Sequence, residues 1–447
     1  YLYMSSDKGK TWASIAANLP ERGSVYAIAE DHVDPNLLFV GTEFGLFLSQ
    51  DRGKSWVQMK AGLPTIAIRD IAIQRRENDL VLASYGRGFF VLDDYSPLRS
   101  INEELLQSEA ALLPIKDAWW YVESRPIGGR GKGSQGASYF TTPNPEVGAT
   151  FTYYLKESLT TAESERKKKE KKLIEEGKAP VYPSPEQLRM EDNELKPYLL
   201  FTIKDSKGKV VKRMKRQASK GLHRSTWDFS YPSGRPKSGA SDWSSGEGHR
   251  AGPGTYTLSM GKVVDGTYTE LVGPTEFKVK ALKNSTLPAN NIEALVKFQR
   301  KVDELSRAVA GASEMHDELG NKINAIKAAV AATPDAQISM LEKARGLQKR
   351  LTEVKIKLEG DASLTRRYFE TPPSISDRVN TIQYGLYSST SEPTQTFKDA
   401  YDIASEEFKP VYEEIKAISE AVSAMEDQLD QLGAPYTPGR LPGWPEE

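Results

Sequence analysis

The chain has 447 residues, with 60 Lys and Arg against 61 Asp and Glu, four His and no Cys. A domain size of roughly 150 residues suggests about three domains, and the near-zero charge argues against bulk nucleic-acid binding, which wants a basic stripe. The missing cysteines exclude a disulfide scaffold, a thiol nucleophile and Cys-ligated zinc or iron–sulfur sites. Mean hydropathy is −0.53, and no apolar run approaches the ~18–20 residues of a membrane span, so no transmembrane segment is expected. The chain opens at Tyr1 inside what reads as a strand, which suggests a part of a longer protein.

The first hundred residues repeat. Ser5-Ser6-Asp7-Lys8-Gly9-Lys10-Thr11-Trp12 returns as Ser49-Gln50-Asp51-Arg52-Gly53-Lys54-Ser55-Trp56, 44 positions later. The surroundings repeat too: Val25–Ala29 with Ile68–Ile73, Leu37–Gly41 with Leu80–Ser84, and Gly45–Leu48 with Gly88–Leu92. Each unit reads as short strands of period two between Gly, Asp, Asn and Pro turns. In the eight-residue motif Asp7 and Asp51 are suited to accept bonds from turn amides. Gly9 and Gly53 supply positive φ. Trp12 and Trp56 are suited to pack between neighbouring sheets. All of these residues are expected to be structural.

This motif resembles the Asp-box, S-x-D-x-G-x-[ST]-W, of bacterial neuraminidase-type repeats, and its period fits a propeller blade. The run Tyr85–Leu98 (YGRGFFVLDDYSPL) is similar to the segment that closes the propeller in large bacterial exported proteins of the sortilin-N-terminal-like, BNR-repeat kind. The resemblance implies that residues 1–98 are the terminal blades of a β-propeller. Because propellers have ~4–8 blades, the others would come from upstream sequence or a companion chain. It also implies a β-sandwich and a helical tail after the propeller, and an extracytoplasmic location: secreted, periplasmic or on an outer-membrane surface. Arg87 is a candidate for binding an anionic ligand in the propeller channel, or for pairing with Asp93 or Asp94. Asp93 is the second ligand-binding candidate. Asp93 and Asp94 point to opposite faces as strand neighbours and make a poor acid/base pair.

Residues 99–137 read as a connector, with a strand around Trp119-Trp120 and a flexible linker at Gly128–Gly136. Residues 138–283 read as a β-sandwich. The Gly221…Trp227-Asp228…Gly252-Pro253-Gly254-Thr255-Tyr256 pattern resembles immunoglobulin and fibronectin-III-like modules, with the Trp filling the inter-sheet core. A charged insertion at 157–196 reads as a solvated helix with i,i+4 pairs. Ser233–Arg250 is a second polar insertion, holding Trp243 and His249.

Residues 284–432 show apolar residues at 3/4 spacing. Leu295 to Val330, Leu341 to Leu358, Ile375 to Leu386 and Phe397 to Leu432 define four amphipathic helices, the last interrupted by Pro410. Short turns between them predict an antiparallel four-helix bundle. His316 sits on the seam of the first helix without metal-ligand partners. The tail 433–447 is too rich in Pro and Gly for helix, and Trp444 would anchor it.

No catalytic residue, metal or cofactor follows from these patterns. His32, His223, His249 and His316 are scattered over three modules. The first functional expectation is therefore a non-catalytic exported or cell-envelope scaffold or binding protein, with a protein, peptide or glycan partner in an envelope or extracellular complex. The alternative is a glycoside hydrolase of sialidase- or xyloglucanase-like type whose catalytic residues lie mostly upstream. A third possibility is that the helices serve oligomerisation or docking.

Overall fold

A computed structural model describes residues 1–123, 142–234, 247–283 and 285–441. The linker at Gly128–Gly136, Trp243 and Trp444 fall outside them. Strands β1 (Tyr3–Met4) and β2 (Ala13–Ser14) pair across the first eight-residue turn. A four-stranded antiparallel sheet follows: β3 (Val25–Glu30), β4 (Leu38–Thr42), β5 (Gly45–Ser49) and β6 (Val57–Met59), in that order. A three-stranded sheet repeats the first three: β7 (Ile68–Gln74), β8 (Asp79–Ser84) and β9 (Phe89–Leu92).

The period of two in β4 explains how these layers stack. Phe39 packs with Ile68, Leu80, Leu82 and Tyr95 on the side of the three-stranded sheet. Its neighbours Leu38 and Val40 point the other way and pack with Leu2, Ile15, Phe47 and Trp56. Strand β4 is thus buried on both faces, while the outer strands β3 and β6 stay partly exposed. Gly41 marks the closest approach: a Cβ there would lie 2.7 Å from the Ile68 carbonyl oxygen.

A 3-10 turn (Ser96–Ser100) and helix α1 (Glu103–Gln107) lead into the middle region. Its strands are β10 (Ala110–Leu112), β11 (Ala118–Trp120), β12 (Ala149–Leu155), β13 (Tyr198–Asp205), β14 (Val210–Gln217), β15 (Gly221–Trp227), β16 (Ser230–Pro232), β17 (Glu247–Arg250), β18 (Gly254–Val264) and β19 (Thr267–Ala281). They form a three-stranded sheet, β10-β12-β15, a five-stranded sheet, β11-β19-β18-β13-β14, and the pair β16-β17. Phe151 and Tyr153 of the smaller sheet meet Phe201 of the larger at ring distances of 5.0 and 4.8 Å. Trp227 is fully buried, edge-on to Tyr256 and Phe277, and donates its indole N–H to the Ser230 carbonyl at 3.0 Å. The expected connector is not a separate link. It supplies β10 to one sheet and β11, running parallel to β19, to the other.

The charged insertion forms α2 (Ala162–Glu175) and α3 (Pro185–Asn193), capped by Thr161 and Ser184. Neither buries a residue. Arg166 joins them through Glu191 at 2.6 Å.

The last region holds α4 (Ile292–Ala332), α5 (Ser339–Glu359), α6 (Ala362–Thr365), α7 (Ile375–Tyr387) and α8 (Gln395–Gln431). Most of the 3/4 apolar seams are buried, but α5 buries Met340 and Leu347 in place of Leu341 and Gln348, and Leu432 at the end of the last seam is exposed. Their directions differ from an alternating four-helix arrangement. Phe298 meets Tyr401, and Lys322 reaches Glu426, so α4 and α8 run parallel. Gln299 donates to the Leu386 carbonyl and Ser306 to Gln383, so α7 opposes α4. Lys327 donates to Gln348, and Gly320 lies beside Leu351, so α5 opposes α4 as well. The reason is length. At 1.5 Å per residue, α4 with 41 residues needs a return path that α5, with 21, covers only in part; α7, with 13, completes it. The helices therefore form three columns, one of them made of α5 and α7. Pro410 lies inside α8 without ending it.

Candidate functional site

The sequence-predicted residues of the two eight-residue turns form two copies of one network. Ser5 Oγ donates to Asp7 Oδ1 and accepts from the Gly9 N–H at 2.7 Å. Thr11 gives its N–H to Asp7 Oδ1 at 2.8 Å and its hydroxyl to Oδ2 at 2.7 Å. In the second copy Ser49, Asp51, Gly53 and Ser55 make the same bonds, with Ser55 at 2.9 and 2.5 Å from the Asp51 oxygens. Gly9 and Gly53 stand at φ of 85° and 83°, where a Cβ is disfavoured. The Thr11 hydroxyl and N–H hold the Asp7 carboxyl down at about 2. At Asp51 burial works against ionisation, and the Ser55 and Ser49 hydroxyls outweigh it, so that carboxyl is lowered too. Both carboxylates are turned onto their own backbone, which suits a turn lock and not acid/base work.

The two tryptophans part company. Trp56 is 3% exposed and donates its indole N–H to the Ile15 carbonyl at 2.8 Å. The Asn18 side chain grips its peptide group from both sides, accepting from Trp56 N at 2.7 Å and donating to Trp56 O at 2.9 Å. Trp12, in the same place of the first copy, is 64% exposed.

Arg87 stands on the β8–β9 turn between Gly86 and Gly88, both at positive φ. It is exposed and makes no hydrogen bond or ion pair with a described residue. The carbonyls of Asp93 and Asp94 are taken instead by the Arg224 guanidinium of β15. Desolvation and the nearby Asp79 carboxylate push the Asp93 carboxyl up, with Arg224 partly offsetting them. No bond joins Arg87 to Asp93, so these two candidates do not form one site.

Two polar hubs carry no sequence motif of their own. At the first, buried Asp31 takes both nitrogens of an Arg99 fork at 2.8 Å and the Tyr95 hydroxyl at 2.5 Å. Arg99 also reaches Asn78 at 2.7 Å. Burial alone would raise the Asp31 carboxyl, but Arg99, Tyr95 and the Asp34 N–H hold it far below the ordinary range. This hub bolts the β3–β4 loop to the segment after β9. At the second, Asp303 of α4 accepts from His249 N and Nδ1 at 2.6 and 2.9 Å, from Tyr387 at 2.7 Å and from Gln383 at 3.0 Å. The His249 ring stacks on Tyr231. Burial disfavours the Asp303 carboxylate, and these donors outweigh it. This hub ties β17 to α4 and α7, so His249 acts as a brace. His316 is half-buried and bonds Asp317 at 2.9 Å.

Among the described residues no three His, Asp or Glu side chains stand together as metal ligands, and no helix is long and apolar enough to cross a membrane. No family model and no curated protein matches the chain. Among solved structures, the extracellular domain of a one-component system assigned to B. thetaiotaomicron aligns with 62% of this chain at 13% identity and a TM-score of 0.17. The aligned part is 28% of that chain.

Proposed function

We propose that this chain is a non-catalytic scaffold or binding protein of an exported, cell-envelope system. In this reading residues 1–98 are blades of an Asp-box propeller, the facing sheets of the middle region are an immunoglobulin-like spacer, and the helical columns are a brace. The observation that carries it is the contrast between Trp56 and Trp12. Trp56 shows what this motif does when a neighbouring layer is present: its ring is buried and its N–H finds the neighbour's carbonyl. Trp12 presents the same ring, on the same turn, to solvent. The partner proposed for that face is a further sheet of the same kind, from the same polypeptide or a companion chain. The extracytoplasmic location rests on the sequence resemblance.

The test places a photo-crosslinking amino acid at position 12 in the protein as produced by its source organism. The expected adduct maps to a strand beside another S-x-D-x-G-x-[ST]-W motif. An adduct confined to the helical region of this chain, or none at all, contradicts the proposal.

A further inference from the structure

A site of a different kind lies at the joint between α5 and α7, and it does not depend on how residues 1–98 are completed. The chain turns there through α6 and the run Arg366-Arg367-Tyr368-Phe369, before Pro372 and Pro373 lead to the Ser374 cap of α7. Local bonds fix this turn. Asp361 caps α6, accepting from the Ser363 N–H at 2.8 Å and its hydroxyl at 2.6 Å. The Phe369 N–H reaches the Leu364 carbonyl at 3.2 Å, and the Tyr368 N–H reaches the Thr365 carbonyl at 3.0 Å. This pair of bonds closes a helix on a left-handed residue, a place that glycine fills most often. Here Tyr368 fills it, at φ 60°.

The Tyr368 ring gives the fold nothing in return for that strain. Tyr368 is 97% exposed, and Phe369 beside it is 60% exposed. Phe229, the other aromatic residue at positive φ among the described ones, is fully buried in the core, so its packing offsets the strain. At position 368 glycine would serve the turn better. The reason for a tyrosine there lies in what the ring meets outside the chain.

The charges point to the kind of surface. Arg366 gives its Nε to the Ala362 carbonyl at 3.0 Å, and Arg367 gives one terminal nitrogen to the Ser363 carbonyl at 2.7 Å. Neither forms an ion pair with a described residue, so each keeps guanidinium N–H groups for an anionic acceptor. Asp361 is engaged in its cap, where the Ser363 hydroxyl and N–H hold its carboxyl down and Arg367 adds a smaller pull. Glu370 is the remaining acid of the tip. The guanidiniums are drawn back one turn onto α6, while the Tyr368 ring stands clear of the chain. At a bilayer this order suits both groups: aromatic rings settle at the headgroup level, and arginines reach the lipid phosphates.

We infer that this knuckle rests on a lipid surface with anionic headgroups. Tyr368 and Phe369 enter the interface, and Arg366 and Arg367 hold the phosphates.

The test is co-sedimentation of the whole chain with vesicles of equal parts phosphatidylcholine and phosphatidylglycerol, and with vesicles of phosphatidylcholine alone. Binding to the anionic vesicles is expected to be at least roughly tenfold tighter, and about 0.5 M salt should remove the difference. Replacing both arginines, Arg366→Gln with Arg367→Gln, should remove it as well, and Glu370→Gln should strengthen binding. Tyr368→Gly separates membrane contact from folding. It should raise the melting temperature by relieving the left-handed backbone, and still weaken vesicle binding at least about threefold. Equal affinity for the two vesicles, or a preference that survives the double arginine change, overturns the inference. So does a Tyr368→Gly chain that binds as tightly as the unaltered one or melts at a lower temperature. Absence of binding to either vesicle overturns it too, and would leave a protein pocket as the receiver of the ring.

Discussion

The two eight-residue turns are built from the same bonds and end in opposite surroundings. Ser, Asp, Gly and Thr or Ser make the same contacts in each copy. Yet Trp56 is sealed against Ile15, and Trp12 faces solvent. The glycines differ in the same sense. A Cβ on Gly53 would lie 2.8 Å from Ile15 Cβ, whereas on Gly9 it would meet nothing closer than Trp12 at 3.9 Å. The motif therefore sets a local turn, and the adjoining layer decides how much stability that turn carries.

The largest test of this contrast is truncation of each ring. Trp56→Ala should cost about 3–5 kcal/mol, the range for emptying a packed aromatic site. Trp12→Ala should stay within about 0.5 kcal/mol. Urea unfolding followed by hydrogen exchange in β4 and β5 reads both. Equal losses would break the comparison.

The glycines come next. Gly53→Ala adds a steric clash to left-handed backbone strain and should cost roughly 2–4 kcal/mol. Gly9→Ala carries the strain alone, about 1–2 kcal/mol. A thermal melt of each variant ranks them, and a reversed order would contradict the packing at Ile15.

The smallest effect is electrostatic. With its carboxyl held down by Thr11, Asp7 should titrate near pH 2 by carbon NMR, well below the ordinary 3.8. Its folded pKa is depressed. Its contribution is therefore complete above the ordinary carboxylate value and is lost as pH falls toward 2. Thr11→Val should move the titration back toward 3.8. A titration that does not move would mean that the Thr11 hydroxyl is not its main support.

What the sequence carried, and what it did not, divides along sequence distance. The turn networks span four residues, and the strands around Phe39 and Leu82 show their period locally, so both were legible. So were the buried seams of α4 and α8. The hub at Asp31 joins residues 64 to 68 positions apart; Tyr95 lies inside the Tyr85–Leu98 run and Arg99 just after it, with nothing in the sequence to connect either to Asp31. In sequence His249 is only a member of the polar insertion Ser233–Arg250, because its partner Asp303 lies 54 positions on, in a helix. Helix direction differs from the sequence expectation for a related reason. A heptad seam tells which face is buried and not which neighbour buries it, and only the unequal lengths of α4 and α5 hint at three columns.

The central claim is that the face carrying Trp12 receives another sheet. Hydroxyl-radical footprinting of Trp12, with Trp56 as internal reference, tests it in the protein as produced by its source organism and in the 447-residue chain by itself. Trp12 is expected to be reactive in the chain by itself and to fall to the protected level of Trp56 in the protein from its source. Equal, high reactivity of Trp12 in both would contradict it.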